Sequence, residues 1–156
     1  MIETNQELKL KKLLYFKGRI PQSEIENEIE KIKSFLDEKE ISIIGPKISS
    51  INSIDDKNPS MPIVNFELLY PIDKPFTKTE KYKFKRKFEL ENCLKIHIKD
   101  TLENIQQELV KLDEYIINSN LKLTTNLYTV DINEPVSHTS NIFDIEAYVS
   151  VKDSDL

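Results

Sequence analysis

Val64 to Ile72 reads VNFELLYPI, and Phe143 to Val151 reads FDIEAYVSV. In both stretches apolar side chains recur at every second position, which is typical of a β-strand with one buried face. The stretches align at an offset of 79 residues, and this offset places Glu67 opposite Glu146. The sequence therefore predicts two similar strands, each with a glutamate on the face away from the expected core.

The first helical segment has an apolar stripe at spacings of three and four residues: Ile25, Ile29, Ile32 and Leu36. Ser23 followed by Glu26 resembles a capping box, so we expect the helix to start at Ser23 and to end near Lys39. Its remaining side is charged and is expected to face water: Glu24, Glu28, Lys31 and Lys33.

The second helical segment has the same pattern, a capping box followed by an apolar stripe. Asp100 is predicted as its N-cap, with Glu103 as the reciprocal residue and an end at Asn118 to Asn120. The predicted apolar stripe consists of Leu102, Ile105, Leu109, Leu112 and Ile116.

One strand is predicted before each helix and two after it. In the first half these are Leu8–Ile20, Ile41–Ile51 and Ile63–Ile72; in the second half they are Tyr82–Ile98, Leu121–Asp131 and Ile142–Val151. When the two halves are aligned at this offset of 79 residues, Ile51 corresponds to Val130. The predicted fold class is α+β: two tandem strand-helix-strand-strand repeats, at about 8–73 and about 81–152, form one antiparallel sheet with both helices on one face. Residues 1–156 are expected to form a single domain.

The composition narrows the classes of function. The formal net charge of −5 disfavours nucleic acid as a partner, because phosphate binding depends on clustered Lys and Arg. Cys93 is the only cysteine, and Met1 to Leu14 lacks the apolar core of a signal peptide. No apolar stretch approaches the roughly 20 residues of a membrane span. We therefore expect a cytoplasmic monomer or homodimer with no membrane partner, metal or other cofactor.

Alternation places two sets of residues on the helix-free face: Asn65, Glu67 and Leu69, and Asp144, Glu146 and Tyr148. If the repeats meet in one sheet, a ligand could lie in the seam between them. A partly desolvated glutamate would attract a cation, and Tyr148 or Tyr128 could add cation–π attraction of roughly 0.5–2 kcal/mol. The alternative is that both glutamates are solvated on an open antiparallel face.

The chain resembles the GyrI-like effector-binding domains, which also form the ligand-sensing half of multidrug transcription regulators. The resemblance rests on the repeated element order, on Gly45-Pro46, on the run Glu146-Ala147-Tyr148-Val149-Ser150-Val151, and on Tyr128 ahead of the loop Asp131 to Pro135. It implies a binding cleft in which Glu146 contacts lipophilic cations and Tyr128 and Tyr148 line the wall.

The sequence also departs from the family pattern, since Thr124-Thr125 stands where a second Gly-Pro is expected and tryptophan is absent. No DNA-binding helix precedes the domain, so direct transcriptional regulation is not expected. The chain further resembles proteins of Gram-positive bacteria that are encoded near type VII secretion genes, which implies a protein partner.

The remaining candidate residues do not form a recognisable catalytic or metal-binding pattern. Cys93 and His97 share a strand face, but residues four apart on a strand are about 13 Å apart, too far for a nucleophile and its base. Together with His138 they give no zinc pattern. The loop acids Asp55, Asp56, Asp131 and Glu134 lack the spacing of a calcium loop.

The basic stretch from Lys78 to Phe88 admits two interpretations, a nucleic-acid surface or a guarded sheet edge. Alternation puts Tyr82, Phe84 and Phe88 on one face and Lys81, Lys83, Lys85 and Lys87 on the other. Lysines on the exposed side of a strand discourage edge-to-edge pairing, so the edge interpretation is favoured.

The leading hypothesis is a non-enzymatic module that binds a small amphipathic molecule, such as a lipophilic cation, through Glu146, Tyr148, Tyr128, Glu67 and Leu69. The alternative is a protein-interaction or accessory function, linked to type VII secretion or to toxin partners, through the sheet face or an edge strand. A hydrolase with Glu146 or Glu67 as general base is the least supported class, because no nucleophile-base-orienter set is visible.

Overall fold

The computed structural model describes residues 1–133 and 141–154. Within these residues the chain is α+β, as the sequence predicts, and every strand pairing given below is antiparallel. The first four elements are β1 (Ile2–Pro21), α1 (Ile25–Glu38), β2 (Ile48–Asp55) and β3 (Ile63–Pro71). They are followed by β4 (Tyr82–Asp100), α2 (Leu102–Asn118), β5 (Leu121–Leu123), β6 (Tyr128–Asn133) and β7 (Phe143–Asp153). Neither helix has the length and apolar character needed to cross a membrane.

The chain divides into two compact units. One unit is Leu10–Phe88, in which β3 pairs with β1 on one side and with β2 on the other. Helix α1 packs on one face of these strands through the predicted stripe, and its partners in β3 are the predicted alternating residues Val64, Phe66, Leu68 and Tyr70. Local periodicity therefore predicted the core of this unit correctly.

The other unit comprises Met1–Lys9 and Glu89–Leu156. Here β7 pairs with β4, β6 and β5. Helix α2 packs through Ile105, Leu112 and Ile116 against the alternating apolar side chains of β4 and β7. Leu102 is exposed, so its place in the predicted stripe is wrong, whereas Leu109 is partly buried against the core.

Both predicted helix caps are wrong. The backbone N–H of Gln22 donates to the carbonyl of Pro62 at 2.9 Å, and Ser23 lies in a 3-10 turn, Gln22–Glu24, ahead of α1. The N-cap of α1 is Glu24, which makes no side-chain capping bond. In α2 the N-cap is Thr101, whose hydroxyl accepts from Asn104 N, while Asp100 Oδ1 accepts from the Thr101 N–H.

This difference in capping predicts a difference in stability. Replacing Thr101 by alanine should lower the free energy of unfolding by about 1 kcal/mol, because a hydroxyl acceptor for the first turn of α2 is lost. Ser23→Ala is the matched control and should change it by less than about 0.5 kcal/mol. Urea denaturation followed by circular dichroism measures both; equal losses would show that the hydroxyl of Thr101 does not act as a cap.

Two predicted strands are broken. Ile41–Ile51 contains a single bridge, Ile43 to Ile72, before β2 starts at Ile48. The break includes Gly45, where a Cβ would lie 3.0 Å from the ring of Pro71, so glycine permits a close approach there. Leu121–Asp131 is likewise divided into β5 and β6.

The two interrupted segments make equivalent backbone hydrogen bonds although their sequences differ. The N–H of Ile44 donates to the carbonyl of Pro71, and the N–H of Thr124 donates to the carbonyl of Ser150, both at 2.9 Å. By this contact Thr124 is the counterpart of Ile44, so Gly45-Pro46 corresponds to Thr125-Asn126 and the predicted correspondence with Thr124-Thr125 is wrong by one residue. The predicted match of Ile51 with Val130 is wrong by one residue, because Ser50 lies opposite Glu67 where Val130 lies opposite Glu146.

Glu28 does not face water as the helical pattern predicts. It is buried on α1, where the ammonium of Lys81 lies 2.8 Å from Oε1 and the hydroxyl of Tyr82 donates to the same oxygen at 3.1 Å. Burial, followed by the negative charge of Glu28, holds the pKa of the Tyr82 phenol far above its ordinary value. The hydroxyl therefore stays protonated and remains a donor to Glu28.

Candidate functional site

The carboxylate of Glu67 is the centre of a buried polar cluster in the unit Leu10–Phe88. The hydroxyl of Tyr15 donates to Oε1 at 2.6 Å, and the side-chain amide of Asn52 donates to Oε2 at 3.0 Å. Ser50 in turn donates to Asn52 Oδ1 at 3.0 Å. We call these four residues the Glu67 cluster. Because Glu67 is only 7% exposed, the interpretation that it is solvated on an open face is wrong.

Strand register brings the cluster together. Tyr15 lies opposite Leu69, two residues beyond Glu67, and the diagonal neighbours on one sheet face are within reach of an aromatic side chain. On the other side the β2–β3 register shifts between Ile51 and Ser53. Asn52 is the extra residue of this bulge, which directs its side chain to the carboxylate.

The ring of Tyr15 already carries a cation on its face. The ammonium of Lys85 lies 4.2 Å from the ring centroid, well inside the range of cation–π attraction. Tyr15 therefore connects an ammonium on β4 to the Glu67 carboxylate by way of its ring and its hydroxyl.

A second carboxylate cluster lies in the other unit and is paired differently. The ammonium of Lys95 lies 2.7 Å from Glu146 Oε2 and 5.7 Å from the centroid of the Tyr148 ring. The Tyr148 hydroxyl donates to Glu146 Oε1 at 3.3 Å. We call Lys95, Glu146 and Tyr148 the Glu146 cluster.

The pKa values in this cluster reflect the pairing. The hydrogen bond to Glu146 raises the pKa of the Lys95 ammonium above its usual value, against the opposing effect of burial. Burial, followed by the charge of Glu146, raises the pKa of the Tyr148 phenol. At neutral pH the cluster therefore holds a charged ammonium and a protonated phenol.

The structure brings several predicted site residues into register within their own units. Tyr128 is buried and lies directly opposite Tyr148 in the β6–β7 pairing, beside Glu146 on the same strand. Leu69 shares a strand with Glu67 but is fully buried, which makes it a support for the cluster rather than a contact surface.

Cys93, His97 and Asp55, which the sequence did not favour as functional residues, each have a side-chain partner. Cys93 is buried next to Ser150, with 3.5 Å between Sγ and Oγ, and burial raises the pKa of its thiol. His97 pairs with Asp144, and Asp55 pairs with Arg19 at 2.8 Å. His138 and Glu134 lie outside the described residues. Residues 1–133 and 141–154 contain no cluster of three His, Cys, Asp or Glu side chains that could hold a metal.

Sequence reasoning missed four residues of the two clusters: Tyr15, Ser50, Asn52 and Lys95. The signal for Tyr15 was its place between the apolar Leu14 and Phe16, because alternation puts it on the face that carries Glu67. Asn52 gave no signal, since it reaches Glu67 only through the bulge.

Comparison with known proteins gives a likeness in structure and none in sequence. No family model and no curated protein matches the chain. Among solved structures, EcmrR in a complex with DNA aligns at a TM-score of 0.72 and 12% identity, over 98% of this chain. This chain spans 57% of that EcmrR chain. The EcmrR C-terminal domain aligns at 0.67 and 10%, over 98% of this chain and 99% of that domain.

The chain shares the fold of the EcmrR C-terminal domain. This is consistent with the GyrI-like effector-binding fold that the sequence predicts. SAV2435 bound to tetraphenylphosphonium aligns at a TM-score of 0.51 and 12% identity, over 96% of this chain and 94% of that one. A hydrolase from Listeria innocua aligns at 0.59 and 8%, over 97% and 91%. At these identities the likeness establishes the fold alone.

Proposed function

We propose that this chain is a GyrI-like binding module that holds a small lipophilic cation without catalysing a reaction. The observation that carries the proposal is the buried carboxylate of Glu67, whose two oxygens are fixed by the Tyr15 hydroxyl and the Asn52 amide. The shared fold supports it, as does the likeness to SAV2435, which binds tetraphenylphosphonium.

The geometry of Glu67 favours one kind of cation. A carboxylate can accept about four hydrogen bonds, so those from Tyr15 and Asn52 fix its two oxygens and leave its negative charge in place. A phosphonium or quaternary ammonium ion has no N–H to place, so it can interact with the charge without displacing Tyr15 or Asn52. The attraction is strengthened by burial, because charges interact more strongly where the effective dielectric constant is low.

Titration calorimetry with tetraphenylphosphonium tests this proposal. The native chain should bind it, and Glu67→Gln, which keeps the shape but removes the charge, should weaken binding at least tenfold, which is about 1.4 kcal/mol. Glu26→Gln, an exposed glutamate on α1, is the matched control and should leave the affinity unchanged. Triphenylphosphine oxide, which is uncharged, should bind much more weakly than the phosphonium ion.

Two results of the same titration would contradict the proposal. Equal affinity of Glu67→Gln and the native chain would exclude Glu67 as the anionic group. If the native chain binds no lipophilic cation at all, the protein-interaction hypothesis becomes the stronger one.

A hydrolase is the second candidate, and one contact favours it. The Tyr15 hydroxyl lies 2.6 Å from Glu67 Oε1, so this carboxylate could act as a general base with a phenol beside it. Release of p-nitrophenol from p-nitrophenyl acetate at a rate that Glu67→Gln abolishes would support this candidate and overturn the non-enzymatic one.

A further inference from the structure

The Glu146 cluster has the form of a cation site that is already filled. An ammonium lies against a carboxylate on one side and near the face of an aromatic ring on the other, at 2.7 Å and 5.7 Å. Ligand cations are recognised by this combination of opposite charge and ring quadrupole. Here the cation is the side chain of Lys95, and both it and Glu146 are only 22% exposed.

Strand register gives Lys95 a counterpart in the other unit. Tyr15 on β1 lies opposite Leu69, two residues beyond Glu67, and Lys95 on β4 lies opposite Tyr148, two residues beyond Glu146. The equivalent backbone position therefore delivers a neutral hydroxyl to one carboxylate and an ammonium to the other.

We propose that Lys95 is a built-in occupant of a cation site formed by Glu146 and Tyr148, and that it excludes external cations from this carboxylate. The inference rests on the proposed function, since it gives a reason why the ligand is assigned to Glu67 rather than to Glu146. A cation that reaches Glu146 has to displace the Lys95 ammonium. Lysine has a flexible four-carbon stem, so the ammonium can move into solvent when it is displaced.

Removing the occupant should open the site. Lys95→Ala deletes the side chain beyond Cβ, and n-propylammonium has the size and charge of the deleted group. The variant should bind n-propylammonium at least tenfold more tightly than the native chain, as measured by titration calorimetry. Lys95→Arg keeps a cation at the position and should behave like the native chain. In the double variant Lys95→Ala/Glu146→Gln this gain in affinity should disappear.

A second variant with its own probe tests the proposal in case Lys95→Ala does not fold. Lys95→Met keeps most of the apolar stem but removes the charge, and tetramethylammonium is small enough to approach Glu146 beside it. It should also bind at least tenfold more tightly than it binds the native chain. If neither variant binds its probe more tightly than the native chain does, or if Glu146→Gln leaves the gain intact, the proposal is overturned.

The two proposals fail in different ways. If the native chain binds tetraphenylphosphonium through Glu67 while the Lys95 variants gain no affinity, only the role of Lys95 is overturned. If the Lys95 variants gain ammonium binding while the native chain binds no lipophilic cation, the occupant is confirmed and the proposed function of the native chain is overturned.

Discussion

Replacing Phe16 by alanine should lower the free energy of unfolding by about 3–5 kcal/mol, the range for removing a buried phenylalanine. Phe16 is buried in the core of its unit, and its ring centroid lies 6.5 Å from that of Phe66 and 6.2 Å from that of Tyr82. The ring also covers Gly18, where a Cβ would lie 2.7 Å from its outermost carbon.

Urea denaturation followed by circular dichroism measures this loss. Phe16→Leu is the matched control and should lose clearly less, because leucine keeps most of the apolar contact. A loss below about 1 kcal/mol for Phe16→Ala would mean that the surrounding core collapses into the cavity. The aromatic packing over Gly18 would then contribute little to stability.

Replacing Lys81 by methionine should cost roughly 3 kcal/mol, the lower end of the range for breaking a buried ion pair. The carboxylate of Glu28 is 6% exposed, whereas Lys81 is 44% exposed, so the variant leaves a buried charge without its ammonium. The hydroxyl of Tyr82 would remain as a donor to Glu28 but brings no positive charge.

A double variant separates the pair from the packing. Lys81→Met/Glu28→Gln removes both charges and should recover most of the lost stability, because a neutral amide costs less to bury than a carboxylate. Lys31→Met, on an exposed part of α1, is the control and should change stability by less than about 0.5 kcal/mol. If the double variant is as unstable as Lys81→Met, the loss comes instead from the contact of the Lys81 ammonium with the rings of Phe16 and Tyr82, whose centroids lie 6.0 Å and 5.7 Å away.

These two predictions differ in how far the sequence supports them. The inward direction of Phe16 follows from alternation along β1, which is a local property of the chain. The burial of Glu28 does not follow from helical periodicity, since Glu28 lies beside the stripe rather than in it. Only the approach of Lys81 and Tyr82, more than 50 residues later, explains why a charge is tolerated there.

In the two glutamate clusters, too, some residues could be predicted from the sequence and others could not. Glu67 and Glu146 could be picked from the sequence because they occupy matching places in two matching strands. Their partners could not, since strand register and the bulge at Asn52 are set by pairing with distant segments. Glu67 accepts hydrogen bonds from a phenol and an amide, whereas Glu146 accepts from a phenol and pairs with an ammonium.

The sequence by itself determined the fold class, the two helices and the buried faces of β3 and β7, because periods of 3.6 and 2 residues are properties of contiguous chain. It did not determine where α1 begins, where the predicted strands break, or what each glutamate contacts. Those features were decided by the tertiary structure, because each depends on a hydrogen bond or close contact between residues far apart in the chain: Gln22 with Pro62, Gly45 with Pro71, and Tyr15 with Glu67.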